Sequence, residues 1–243
     1  MRTAENAILL TGASSGIGYA LLKRLHGLGN KLLVTSRSEE SLQKLEKEFE
    51  GIQTFRCDLG NATSVGLLID YCKKNFAELN VLINNAGVQY EYEVIEEEGR
   101  TRLEKEIRIN LTSPLQLIQE LAPVLRENTP AAIVNVTSSL AVTPKRSAPV
   151  YCGTKSALRT YGKALGYQLQ DSGITLFEII PPLVDTAMTE GRGTGKISPD
   201  QLADGFIQAF ARDRTQIYVG KAKLLRLLHR LMPGVAEKIL KDS

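Results

Sequence analysis

Several features that would mark a function by themselves are scarce in this chain. It has two histidines, His26 and His229, and three cysteines, Cys57, Cys72 and Cys152, in 243 residues. The cysteines are odd in number without a CxxC pair, and the histidines lie far apart, so neither a disulfide framework nor a zinc site is expected. Three reduced thiols in a cytoplasmic chain, with no metal, are the expectation. No apolar run approaches the ~18 residues needed to span a bilayer, and MRTAENAILLTG has no charged segment leading into an apolar one, so neither a membrane span nor export is expected. Net charge is only +3, with the two signs interspersed, which is no nucleic-acid footprint. No internal repeat or low-complexity linker gives a second domain a place to begin.

What is present is a rhythm. The composition, 43% hydrophobic and 23% charged, is that of an ordinary globule, long enough to bury a substantial core. Short β-branched runs alternate with longer helical patterns: AILLT then 17–28, KLLVTS then 39–49, IQTFRC then 62–76, NVLINN then 101–125, AAIVNVTS then 151–170, and ITLFEII. Such alternation predicts a single doubly wound α/β domain, a parallel sheet of about seven strands with helices on both faces. Two segments break the pattern. Residues 186–199, TAMTEGRGTGKISP, read as a mobile loop near a site. The tail at about 221–241 carries Leu224, Leu227, Leu228 and Leu231 opposite Lys223, Arg226 and Arg230, a stripe that more often packs on the body or a partner subunit than on a membrane surface.

After the first run comes T11-G-A-S-S-G-I-G18, opening a helix. Gly12, Gly16 and Gly18, with Ser14, Ser15 and Ile17 between them, let backbone amides approach an anion at a helix N-terminus, as a pyrophosphate requires. The position between first strand and first helix is the context a dinucleotide site needs. The same letters contain G12-A-S14-S-G16, the elbow of a serine hydrolase, which would need an acid and then a downstream histidine, here His229 alone. At the end of the second run, Ser36 and Arg37 stand where a carboxylate would bind ribose hydroxyls, favouring a 2′-phosphate. Asp58, followed by Leu59, either accepts from an adenine amino group or caps the next helix.

The stretch V150-Y-C-G-T-K-S-A157 sets a phenol and an amine four residues apart, on one face of a helix. A protonated Lys155 about 5 Å from Tyr151, at an effective dielectric of about 20, contributes roughly 3 kcal/mol. That corresponds to about two pKa units off the phenol, bringing it toward neutrality, where proton transfer works best. The same residues also read as an amphipathic helix with a solvated lysine.

Taken in order, TGASSGIG, N84-N-A-G87, Asn110, Ser138, and Tyr151 with Lys155 resemble the short-chain dehydrogenase/reductase family from residue 7 to about 186. The resemblance implies a Rossmann-type fold and hydride transfer between a nicotinamide cofactor and a small carbonyl or alcohol substrate; with Arg37 as it stands, NADP(H) is preferred over NAD(H). It implies that Tyr151 is the general acid in reduction and the base in reverse, and that Lys155 lowers its pKa and holds the nicotinamide ribose. Ser138, or Ser139 if the strand ends one residue later, would bond the substrate oxygen. Asn110 would anchor a water linking Lys155 to solvent. Asn84, Asn85, Ala86 and Gly87 would line the cofactor ribose and brace the sheet, and Pro181, Val184 and Thr186 would meet the nicotinamide end. The family's usual glycine after that first proline is Pro182 here, which removes an N–H and predicts an altered substrate wall. The prolyl pair, the glycine-containing loop and the tail are similar to those of the DltE-like oxidoreductases, a bacterial branch. Family members pair through the helices corresponding to 101–125 and 151–170, so a homodimer or homotetramer is implied. A regulator that binds NADPH without turnover is the alternative of a different class. The acidic run E91-Y-E-V-I-E-E-E98 either discourages anionic substrates or faces water.

Overall fold

The computed structural model describes residues 1–91, 93, 99–220 and 222–241, without the side chains of 99–101, so most of the acidic run lies outside the described residues. Seven strands, β1 (Ala7–Thr11), β2 (Lys31–Ser36), β3 (Gln53–Arg56), β4 (Val81–Asn84), β5 (Ala131–Val136), β6 (Ile174–Ile180) and β7 (Gln216–Tyr218), form one sheet. Their order is β3-β2-β1-β4-β5-β6-β7, and every pairing is parallel. The strand order reverses between the paired strands β1 and β4, so the connections leaving their carboxyl ends turn to opposite sides and open the crevice where such sheets bind ligands. The last strand, QIY, is too short to carry a periodic signal and takes its place by pairing with β6.

Continuous apolar runs become strands here because helices cover both faces. Along β1, Ile8 and Leu10 enter one core, while Ala7 and Leu9 enter the other. Helices α1 (Gly16–Gly27), α2 (Glu39–Glu48) and α7 (Pro199–Phe210) supply the first core; α3 (Ala62–Asn75) and α5 (Ser113–Glu127) supply the second. Cys57, Cys72 and Cys152 are buried and free.

Where one helix is predicted over 101–125, the chain forms three pieces: α4 (Gly99–Ile107), a π-helical turn (Arg108–Thr112) and α5. The cause is local. Pro114 has no N–H to return to Asn110, and the Ser113 amide bonds Arg108 O, five residues back. The widened turn carries Asn110 to its place behind the cleft.

The 186–199 loop is folded rather than open. Residues Ala187–Thr189 make a 3-10 turn, Val184 bridges Ile197, and Lys196 Nζ donates to Thr189 O at 2.6 Å. Gly191, Gly193 and Gly195 all have positive φ, which explains the glycines. The tail forms α8 (Ala222–Leu231) and α9 (Pro233–Leu240), held to the body by Thr143 Oγ1 with His229 Nδ1 at 3.2 Å and by Arg146 N on Lys241 O at 2.9 Å. The predicted leucine stripe is split. Leu225 and Leu228 turn inward, whereas Leu224, Leu227 and Leu231 are exposed.

Candidate active site

The glycine loop closes on the end of β4. Gly12 and Gly16 have φ of +68° and +53°, and a Cβ on Gly12 would lie 2.9 Å from Ala86 Cα. A Cβ on Gly18 would lie 2.0 Å from Gly12 O, so no side chain fits there. Thr11 Oγ1 accepts from the Asn85 and Ala86 amides at 3.0 and 3.1 Å, and the Asn85 side chain donates to Thr11 O and Gly12 O. Asn85 is therefore chiefly a brace. Ser38 and Asn61 cap α2 and α3 with their side chains, but Ser15 makes no such bond at the head of α1, whose first amides stay free for an anion.

A cleft of about 330 Å³ opens there. Gly12, Ser14, Ser15, Gly16, Ile17 and Gly18 form its floor, with Ser36, Arg37, Asp58 and Leu59 at one end and Asn85, Ala86, Gly87, Tyr151, Lys155, Pro181 and Thr186 at the other. Ser36 Oγ donates to Ser14 Oγ at 3.3 Å, and the Arg37 side chain is exposed at the rim. Arg56 Nε donates to Arg37 O, placing a second guanidinium on that edge. Asp58 accepts from Gly60 N at 2.9 Å, and the capping role falls to Asn61, so Asp58 is left facing the cleft. These residues fit a dinucleotide: an uncapped helix head for the pyrophosphate, and backbones too close for any Cβ.

Tyr151 and Lys155 lie one turn apart on α6 (Pro149–Gln168), 8% and 3% exposed, with the ammonium 5.8 Å from the ring centre. Lys155 Nζ donates to Val136 O at 2.8 Å. Burial pushes the Tyr151 phenol up to about 12, the Ser138 hydroxyl pulling the other way, and pushes Lys155 down to about 8. Where a lowering of the phenol by its lysine is expected, loss of solvent instead raises it in the protein alone, while the lysine bonds the Val136 carbonyl. Asn110 is buried and bonds Val88 both ways, accepting from its N at 2.9 Å and donating to its O at 2.8 Å. It sits behind Gly87, where a Cβ would meet Asn110 Oδ1 at 3.2 Å and Lys155 Nζ at 3.5 Å. Asn84 donates to Asn135 Oδ1, bracing β4 on β5.

Ser138 and Val184 line not the cleft but an adjoining cavity of about 550 Å³, which also reaches Ser139, Pro182 and the inner side of α8 and α9. Pro182 stands in the expected substrate wall. Ser138 Oγ accepts from Leu140 N at 3.0 Å, starting the short turn after β5. At the cavity's edge is a cluster that carried no sequence signal, since its members are far apart in the chain. Lys145 Nζ pairs with Glu91, Arg192 Nε lies 3.4 Å from the same carboxylate, and Gln89, with its amide oxygen inward, accepts from both cations. Glu91, at least, is not simply facing water. The hydrolase alternative finds no geometry. Ser14 is bonded to Ser36, His229 to Thr143, and His26 to Glu50 O.

A nucleotide cleft that shares Tyr151 with an apolar cavity is the arrangement of a nicotinamide-dependent oxidoreductase. The model of the short chain dehydrogenase family matches residues 6–196, and the chain belongs to that family. It is 38% identical over 235 residues, 93% of this chain and 92% of the relative, to the uncharacterized oxidoreductase DltE of Bacillus subtilis (strain 168), which puts it in the DltE-like branch. Among solved structures it resembles a short chain dehydrogenase from Burkholderia cenocepacia J2315 in complex with NADP (TM-score 0.88, 23% identity, 99% of each chain). It also resembles one from Burkholderia phymatum in complex with NAD (TM-score 0.86, 21% identity, 100% of this chain and 98% of that one).

One buried group near Tyr151 was not legible in the sequence. Glu106, in the last turn of α4, accepts from Tyr90 N at 3.4 Å, its second oxygen has no partner among the described residues, and burial raises it to about 7, the Tyr90 amide opposing. Its pKa is raised in the folded chain, so its contribution to stability is present below about pH 4.5 and is lost as pH rises through about 7. Glu106→Gln, which cannot ionise, should therefore be the more stable protein at pH 8, by up to roughly 3 kcal/mol, with the difference closing by about pH 5. Urea unfolding at the two pH values reads this directly; equal stabilities at pH 8 would dismiss the buried ionisation.

Proposed function

We propose that the protein is an NADP(H)-dependent oxidoreductase that reduces a carbonyl compound, or oxidises the matching alcohol, with Tyr151 as the proton-transfer group. The observation that carries this reading is that Tyr151 lies on the wall common to the nucleotide cleft and the apolar cavity. A nicotinamide held in the cleft between Tyr151, Lys155 and Thr186 would supply the hydride for the carbonyl carbon. Tyr151 gives its phenolic proton to the carbonyl oxygen, and Ser138 donates a hydrogen bond to the same oxygen as charge develops there. A phenol held near 12 keeps its proton at neutral pH, which suits the reductive direction. Lys155, with Asn110 behind Gly87, is placed to return the proton from solvent. The uncapped head of α1 takes the pyrophosphate, Arg37 with Arg56 takes the 2′-phosphate, and Pro181, Val184 and Thr186 meet the nicotinamide. The loop at 186–199 serves as a lid over both ligands. Pairing of copies through α5 and α6, and residence in the reducing cytoplasm, where the three buried thiols stay free, belong to the same reading.

Tyr151→Phe should lower turnover by roughly 10²- to 10⁴-fold while leaving NADPH binding, read by its fluorescence, intact. Retained turnover would refute the assignment, and wild-type binding without oxidation over a broad carbonyl panel would favour the regulator. Arg37→Ala should weaken NADPH at least about ten-fold and NADH little, by titration; equal losses would remove the 2′-phosphate role. Limited proteolysis between Gly191 and Gly195 should slow when NADPH is added, and an unchanged rate would remove the lid.

A further inference from the structure

Helix α8 has three faces. Ala222, Leu225, Leu228 and His229 turn toward the body, and at 100° per residue the exposed Leu224, Leu227 and Leu231 form a second face beside a third made of Lys223, Arg226 and Arg230. Leu224, Leu227 and Leu231 are 68%, 53% and 68% exposed, and Met232, Val235 and Ile239 of the turn and α9 extend the same apolar surface. Six of the eleven large hydrophobic side chains exposed among the described residues fall between 224 and 239, which makes this a patch rather than scatter.

The charge of the patch says what covers it. From Ala222 to Lys241 there are five basic side chains, Lys223, Arg226, Arg230, Lys238 and Lys241, against the one acid Glu237, a net +4. The whole chain carries +3, so everything outside this segment sums to −1 (3 − 4). Two copies meeting through this surface would oppose like charges on both sides. An anionic lipid leaflet complements the apolar face and the basic face together, the leucines entering the acyl boundary and the lysine and arginine stems reaching the headgroups.

We propose that the α8–α9 hairpin docks the protein on an anionic membrane surface, lying in the interface without crossing it. Among the described residues no helix is long and apolar enough to span. The same hairpin walls the apolar cavity beside Tyr151, through Leu225, Leu228 and Leu240 on its inner side and through Leu224 and Ile239, which line the cavity while remaining part of the exposed patch. Docking therefore brings that cavity against the bilayer surface, where carbonyl compounds with long apolar chains are concentrated.

The test is co-sedimentation of the full chain with vesicles of phosphatidylglycerol and phosphatidylcholine, against phosphatidylcholine alone. Each basic residue near an anionic leaflet strengthens partition about five-fold, so binding to the anionic vesicles should exceed the neutral ones by at least about a hundred-fold and weaken in salt. Leu227→Ser/Leu231→Ser should lower that binding at least about ten-fold. Neither side chain lines the cleft or the cavity, so the circular dichroism spectrum and NADPH binding of this variant should match the wild type. Absence of anionic-vesicle binding, or equal binding by the double variant, overturns the proposal. A wild-type dimer in sedimentation velocity that the double variant dissolves, without vesicle binding, assigns the patch to a second copy. The vesicle measurement needs no turnover: docking with no carbonyl reduced would leave this inference standing and remove the reductase reading.

Discussion

The close approach of β1 and β4 at their carboxyl ends is the constraint on which the rest of the site depends. Gly12 and Ala86 are so near that a single methyl on Gly12 has no room, and Thr11 and Asn85 lock that contact with four hydrogen bonds. From it follow the aim of the α1 N-terminus into the cleft and the path of the chain through Gly87 to Val88. Asn110 can then hold Val88 from behind while Lys155 lies against the other side of Gly87. The floor of the cleft and the Tyr151–Lys155 pair share one joint. A change there would disturb both.

Burial imposes an opposite demand on the tyrosine and lysine. Taking both out of water raises the phenol and lowers the amine, each toward its neutral form, against the charge-stabilising effect that their spacing suggests. The Val136 carbonyl receives the ammonium, and the ring lies within reach of it as a cation–π partner. At neutral pH the phenol therefore keeps its proton in the protein alone. Glu106, buried nearby with one oxygen unpartnered among the described residues, adds a further ionisable group whose charge the surroundings disfavour.

The C-terminal hairpin connects the site to the surface. Its inner leucines complete the apolar cavity that begins at Ser138 and Pro182, and its outer leucines join the largest concentration of exposed apolar side chains described. A helix with apolar residues on more than half its circumference cannot bury them all against one body: Leu225 and Leu228 wall the cavity, Leu227 and Leu231 face outward, and Leu224 does both.

The sequence by itself determined the doubly wound fold, the glycine loop and the Tyr151–Lys155 pair, because each rests on local chemistry: β-branched runs, glycines that alone tolerate the backbone, and spacing along one helix; Asn110 was legible only through the family resemblance. It also placed Arg37 and Asp58 at strand ends, where the parallel topology leaves little choice. Only the tertiary structure decided that a π-helical turn beside Pro114 carries Asn110, that desolvation raises the Tyr151 phenol, and that Gln89, Glu91, Lys145 and Arg192 converge at the cavity edge. It alone decided, too, which leucines of α8 face inward. Periodicity gives the faces of a helix but not what lies opposite them, and solvent exclusion and long-range pairing arise only when distant segments meet.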